Sequence, residues 1–129
     1  MAMSFDMSLF AVLVVEDDPF IRAEALDLAR EAGFIAYEAR DADTAIAMLE
    51  RHPDIRICFT DVEMPGELDG LKLAAAIRRR WPPVQLIVVS GRRKITADQM
   101  PEHSVFFPKP YNPDAILQTL ARFGQQIMS

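Results

Sequence analysis

The sequence predicts an α/β domain: a doubly wound, five-stranded parallel sheet with helices on both faces. Three observations carry this reading. Apolar, β-branched runs such as FAVLVV at 10–15 and VQLIVV at 84–89 are nearly continuous, as strands buried on both faces require. Segments with helical spacing and capping residues separate the runs, so successive strands are joined by crossovers and run parallel. The chain has 129 residues, half of them hydrophobic, which suits one domain that buries a core without staples.

Phe10 to Val15 is the first strand, and Glu16-Asp17-Asp18 follows it. Asp18-Pro19 reads as an N-cap with proline at the first helical position. Ile21, Ala25, Leu28, Ala29 and Ala32 then keep helical spacing until Gly33 stops the helix. Phe34 to Glu38 is a shorter second strand. Asp41 or Asp43 opens a helix with the stripe Ala42, Ala45, Ile46 and Leu49, which ends before His52-Pro53. Ile55 to Thr60 is the third strand. After the loop VEMPGELDG comes a helix with Leu73, Ala76, Ile77 and Trp81 on one face. Its Arg78-Arg79-Arg80 end suits the negative end of the helix dipole, so no nucleic acid is needed to explain the basic cluster. Val84 to Val89 is the fourth strand and Val105 to Phe107 a short fifth. Asn112-Pro113 caps a last helix whose buried side carries Ile116, Leu120, Phe123 and Ile127. Residues 1–8 read as a loose tail and 9–127 as the domain.

Conspicuous polar residues sit where strands end: Glu16 and Asp17 after the first, Asp61 at the third, Ser90 at the fourth, Lys109 after the fifth. In an open parallel sheet these ends share one edge, and ligands bind there at the topological switch point. With the flavodoxin-like order 2-1-3-4-5, that point lies between the first and third strands and gathers Glu16, Asp17 and Asp61. Three carboxylates in one crevice raise each other's pKa or take a cation. An all-oxygen donor set suits a hard ion such as Mg²⁺. Lys109 is a point charge fit for a phosphoryl oxygen, Ser90 offers a hydroxyl, and an ionised carboxylate beside them is a plausible nucleophile.

Other classes fit less well. The net charge of −5 argues against broad nucleic-acid binding, and Leu9 to Val15 is too short to span a membrane. Cys58, the single cysteine, lies in an apolar run and reads as a buried hydrophobe, in keeping with a reducing compartment. His52 and His103 lack partners at metal-ligand spacing and read as surface residues. No glycine-rich turn follows the first strand, so dinucleotide binding is unsupported.

VLVVEDDP, CFTDVEMPG, LIVVSG and FFPKP, each at a strand end and in this order, resemble the receiver domain of two-component response regulators. The resemblance runs from about Leu9 to Ile127. It implies that Asp61 accepts a phosphoryl group and that Asp17 and Asp61 bind Mg²⁺ directly. Glu16 would act mainly through water, and the Glu63 carbonyl would complete the metal site. Ser90 would bond the phosphoryl group on activation, with Phe106 as the aromatic switch residue moving with it. Lys109 would hold the phosphoryl group, and Lys109-Pro110 would be a cis peptide. The phosphoryl source would be a sensor histidine kinase, a histidine phosphotransfer protein or a small phosphodonor, in the cytoplasm of a bacterium. The domain would be no enzyme beyond its own phosphorylation and dephosphorylation, and a phosphorylation-dependent dimer is a further expectation. The chain ends soon after the last helix, so a stand-alone receiver acting through protein contacts is expected.

The pattern departs from the family in three ways. The loop MPGELDG is longer than usual. An acidic Glu63 and a basic Arg92 stand two residues beyond Asp61 and Ser90, where they are placed to pair. The segment Gly91 to His103 is short and has no apolar stripe, so the family's fourth helix is expected to be short or absent, as in a subgroup of single-domain receivers frequent in alphaproteobacteria. Arg92, Arg93 and Lys94 there read as a solvated loop before a docking patch. Two alternatives stand beside the receiver reading: a pseudo-receiver that binds without phosphorylation, and an aspartate-nucleophile phosphatase, for whose usual cap domain there is no room.

Overall fold

The structure is a computed structural model that describes residues 7–64, 69–92 and 94–129. The tail up to residue 6, part of the loop after Asp61, and Arg93 lie outside the described residues. Among the described residues the first element is a single 3-10 turn, Met7–Leu9, which straddles the expected boundary between tail and domain.

The elements follow in the order β1 (Ala11–Val15), α1 (Pro19–Glu31), β2 (Ile35–Ala39), α2 (Ala42–Arg51), β3 (Ile55–Asp61), α3 (Gly70–Arg80), β4 (Gln85–Ser90), β5 (Ser104–Pro108) and α4 (Pro113–Met128). The sheet order is β2-β1-β3-β4-β5 and the pairs are parallel. The predicted architecture holds. The fourth helix of the family pattern is reduced to one 3-10 turn, Ala97–Gln99.

Strand alternation divides the core in two. Leu13, Val15, Cys58, Leu86 and Val88 face α2 and α3, whereas Val12, Val14, Phe59, Ile87 and Val89 face α1 and α4. Burial on both faces is why β1 reads as a continuous apolar run. The helices start where side chains satisfy their first amides. Asp18 Oδ1 accepts from the Phe20 and Ile21 amides, Asp41 from Thr44, Asp69 from Leu71 and Lys72, and Asn112 from Asp114. Asp41 rather than Asp43 therefore caps α2. Gly33, at φ 97°, takes the left-handed conformation that ends α1.

Three local expectations change. Leu26 is buried in α1 beside Ala25, because a helix laid on a sheet buries a stripe wider than one row of side chains. His52 is not a plain surface residue: its ring stacks on Tyr37, centroids 4.3 Å apart. Arg78 does more than complement the helix dipole. Its guanidinium donates to the carbonyls of Glu102 (2.7 Å), Pro82 (2.8 Å) and His103 (3.2 Å), tying α3 to the chain entering β5.

Candidate functional site

Parallel pairing puts the carboxyl ends of β1, β3, β4 and β5 on one edge. Val15 pairs with Thr60, Asp61 with Val89, and Ser90 with Pro108, so Glu16, Asp61, Ser90 and Lys109 arrive at one level. Glu16, Asp61 and Lys109 line a cleft of about 380 Å³ together with Asp17, Glu63, Gly91 and Arg92.

At its centre is Lys109, whose Nζ donates to Glu16 Oε1 at 2.9 Å and to Asp61 Oδ2 at 2.8 Å. Both carboxylates are buried, Glu16 at 3% and Asp61 at 4% exposure, so they depend on this ammonium and on backbone amides. Asp18 N donates to Glu16 Oε2 (3.1 Å), and Glu63 N donates to Asp61 Oδ1 (3.1 Å). Arg22 Nη1 bonds the Glu16 carbonyl at 2.9 Å and anchors α1 to the turn. The Lys109 amide donates to the Ser90 carbonyl at 2.9 Å, and the Lys109-Pro110 peptide is cis, as expected.

Burial pushes the Glu16 carboxyl up to about 7, against the pull of Lys109. Burial is the largest influence on Asp61 as well and raises it, with Lys109 again opposing. Burial works against the Lys109 ammonium, but its bonds to Asp61 and Glu16 outweigh that and hold its pKa above the ordinary lysine value. The two buried carboxylates thus share a single lysine ammonium.

Glu16, Asp17 and Asp61 each offer an oxygen, all within 4.8 Å of one another. Asp17 is exposed at the cleft mouth. A donor set made only of carboxylate oxygens, with repulsion left to neutralise, fits Mg²⁺ or a similar hard cation. Glu63 was expected to add its main-chain carbonyl. Its side-chain carboxylate, a separate group, takes the Ser90 hydroxyl at 2.6 Å and the Arg92 amide at 2.7 Å. The expected Glu63–Arg92 pairing is thus made to the main chain of Arg92. Phe106 is half-buried at the edge of the α2/α3 core, in register with Val88, on the sheet face that Ser90 shares.

Sequence reading missed Gly70. A Cβ there would lie 2.0 Å from the Asp61 carbonyl oxygen, so α3 starts in van der Waals contact with the main chain of the site. The one available signal was a glycine just after the Asp69 cap.

The profile of the response regulator receiver domain matches residues 12–121. The nitrogen assimilation regulatory protein NtrX of Azorhizobium caulinodans is 34% identical over 111 residues, which is 82% of this chain and 24% of NtrX. The chain thus spans about a quarter of the length of that curated relative. A solved probable two-component response regulator/GGDEF domain protein superposes with a TM-score of 0.82 at 26% identity, over 95% of this chain and 52% of that one. The fold is also that of a CheY-like receiver domain protein from Methanospirillum hungatei JF-1, with a TM-score of 0.80 at 20% identity over 93% and 97% of the two chains.

Proposed function

The chain belongs to the response regulator receiver domain family, and we propose that it is a phosphorylation-dependent switch that accepts a phosphoryl group on Asp61. One observation carries the assignment of the acceptor: Lys109 bridges buried Asp61 and Glu16 at the sheet's switch point, with Asp17 completing a carboxylate triad. In this reading an Asp61 oxygen attacks the phosphorus of a phosphohistidine or acyl phosphate. An O–P bond forms, the P–N or P–O bond to the donor breaks, and the donor leaves with its electron pair. Lys109 follows the charge as it moves from the carboxylate to the phosphoryl oxygens. The Glu63 amide orients the carboxylate through Oδ1. A divalent cation held by Glu16, Asp17 and Asp61 would supply the charge neutralisation that brings an anionic phosphate to an anionic nucleophile. Water later hydrolyses the acyl phosphate, so the added charge is a timed signal.

The donor is a sensor histidine kinase or a histidine phosphotransfer protein, and the signal leaves through protein contacts in the cytoplasm. The chain turns over no external substrate. Among the described residues no helix is long and apolar enough to cross a membrane. The deciding experiment is an intact mass after incubation with acetyl phosphate and Mg²⁺, with Asp61→Asn and a chelator beside it. The expected result is one added phosphoryl group, lost in both controls. If folded protein shows no mass gain and also fails to bind beryllofluoride, the reading is overturned in favour of a pseudo-receiver. Steady hydrolysis of a generic phosphate ester would favour the phosphatase.

A further inference from the structure

The carboxylate of Glu63 stands between the nucleophile and the hydroxyl at the end of the next strand. Its own amide donates to Asp61 Oδ1 at 3.1 Å, while its Oε1 accepts from Ser90 Oγ at 2.6 Å and from Arg92 N at 2.7 Å. Two donors converge on one carboxylate oxygen, and hydrogen bonds to a carboxylate are short and strong. Ser90 is 2% exposed, so its hydroxyl has few alternatives to the groups packed around it. An anion built into the chain thus holds two donors, the Ser90 hydroxyl and the Arg92 amide, at the strand end next to that of Asp61.

We propose that Glu63 is a positioning residue that latches Ser90: an internal anion that competes with the phosphoryl group on Asp61 for the Ser90 hydroxyl and the Arg92 amide. The inference rests on Asp61 being the phospho-acceptor. Phosphorylation adds negative charge two residues from Glu63, and that charge drives the carboxylate off. Ser90 and the strand-end loop then turn to the new anion. The latch makes the active arrangement a minor state of the unmodified protein, and any phosphoryl analogue has to overcome it.

The test is a beryllofluoride titration with Mg²⁺ on wild type, Glu63→Ala, Glu63→Gln, Ser90→Ala and the Glu63→Ala/Ser90→Ala pair, each first shown to unfold cooperatively in urea. Releasing the latch is expected to tighten binding about tenfold in Glu63→Ala, the size set by a charge-assisted hydrogen bond, and less in Glu63→Gln, which keeps an acceptor. That gain should largely vanish in the Ser90→Ala background. A gain that persists undiminished there is plain charge repulsion and overturns the latch, as does no gain. A second readout needs no phosphoryl analogue: the Arg92 amide should exchange with solvent faster in Glu63→Ala, and unchanged exchange also overturns the latch. Binding absent from every protein while Arg92 exchange responds would show instead that the receiver reading has failed, with the contact itself intact.

Discussion

Replacing Gly70 by alanine separates a packing argument from a chemical one. Gly70 opens α3, its amide donates to the Val62 carbonyl at 3.1 Å, and its φ is not in the left-handed region. The need for glycine is therefore one of space. A methyl group would lie 2.0 Å from the Asp61 oxygen and 2.7 Å from Val62 Cα, whereas real Cβ contacts essentially never fall under 3.0 Å. The start of α3 and the end of β3 must part by about 1 Å (3.0 minus 2.0), and the obstructing atoms are backbone that cannot swing away. Overpacking of this kind costs about 1–3 kcal/mol. A displacement of about 1 Å at a reacting group costs up to about 100-fold in rate. Urea unfolding of Gly70→Ala should show the stability loss, and timed intact-mass spectra with acetyl phosphate should show phosphorylation slowed at least about tenfold. A variant with the wild-type midpoint and rate would refute the claim that this contact places Asp61.

Three further outcomes follow from the structure. Arg78→Ala removes a donor shared by three carbonyls before β4 and β5, so the amides of Ser104 to Phe106 should exchange faster, with a stability loss of about 1 kcal/mol; unchanged protection would show that the clamp is idle. Without divalent cations, Glu16 binds its proton more tightly folded than unfolded, since burial moves its pKa from 4.5 to about 7. Its contribution is most favourable below about 4.5 and is lost as pH rises through about 7, so Glu16→Gln should gain on wild type in chemical denaturation from pH 5 to 8, and a gap that does not widen would contradict this. Cys58 is fully buried and its thiol is pushed up to about 12, so it should resist a thiol-specific disulfide reagent at pH 8 until the protein unfolds; rapid labelling of native protein would exclude that burial.

Much of the fold was legible because it is written in local periods. The continuous runs at β1, β3 and β4 mark strands covered on both faces, and Asp18, Asp41 and Asn112 mark helix starts by bonds spanning three residues or fewer. Asp61, Lys109 and Glu16 were recognisable since parallel strands deliver their carboxyl ends to one edge whatever the packing details. The shrunken helix between β4 and β5 was legible too, from a segment with no apolar stripe to bury. Tertiary structure alone decided how these residues meet. Lys109 reaches Glu16 across 93 residues, Ser90 meets Glu63 across 27, and Arg78 clasps carbonyls 24 and 25 residues on. Gly70 is needed only because α3 starts against the Asp61 main chain. Local sequence sets periodicity and caps, but a hydrogen bond or a clash depends on ångström-scale separations between distant segments. Those separations exist only once both halves of the core have packed.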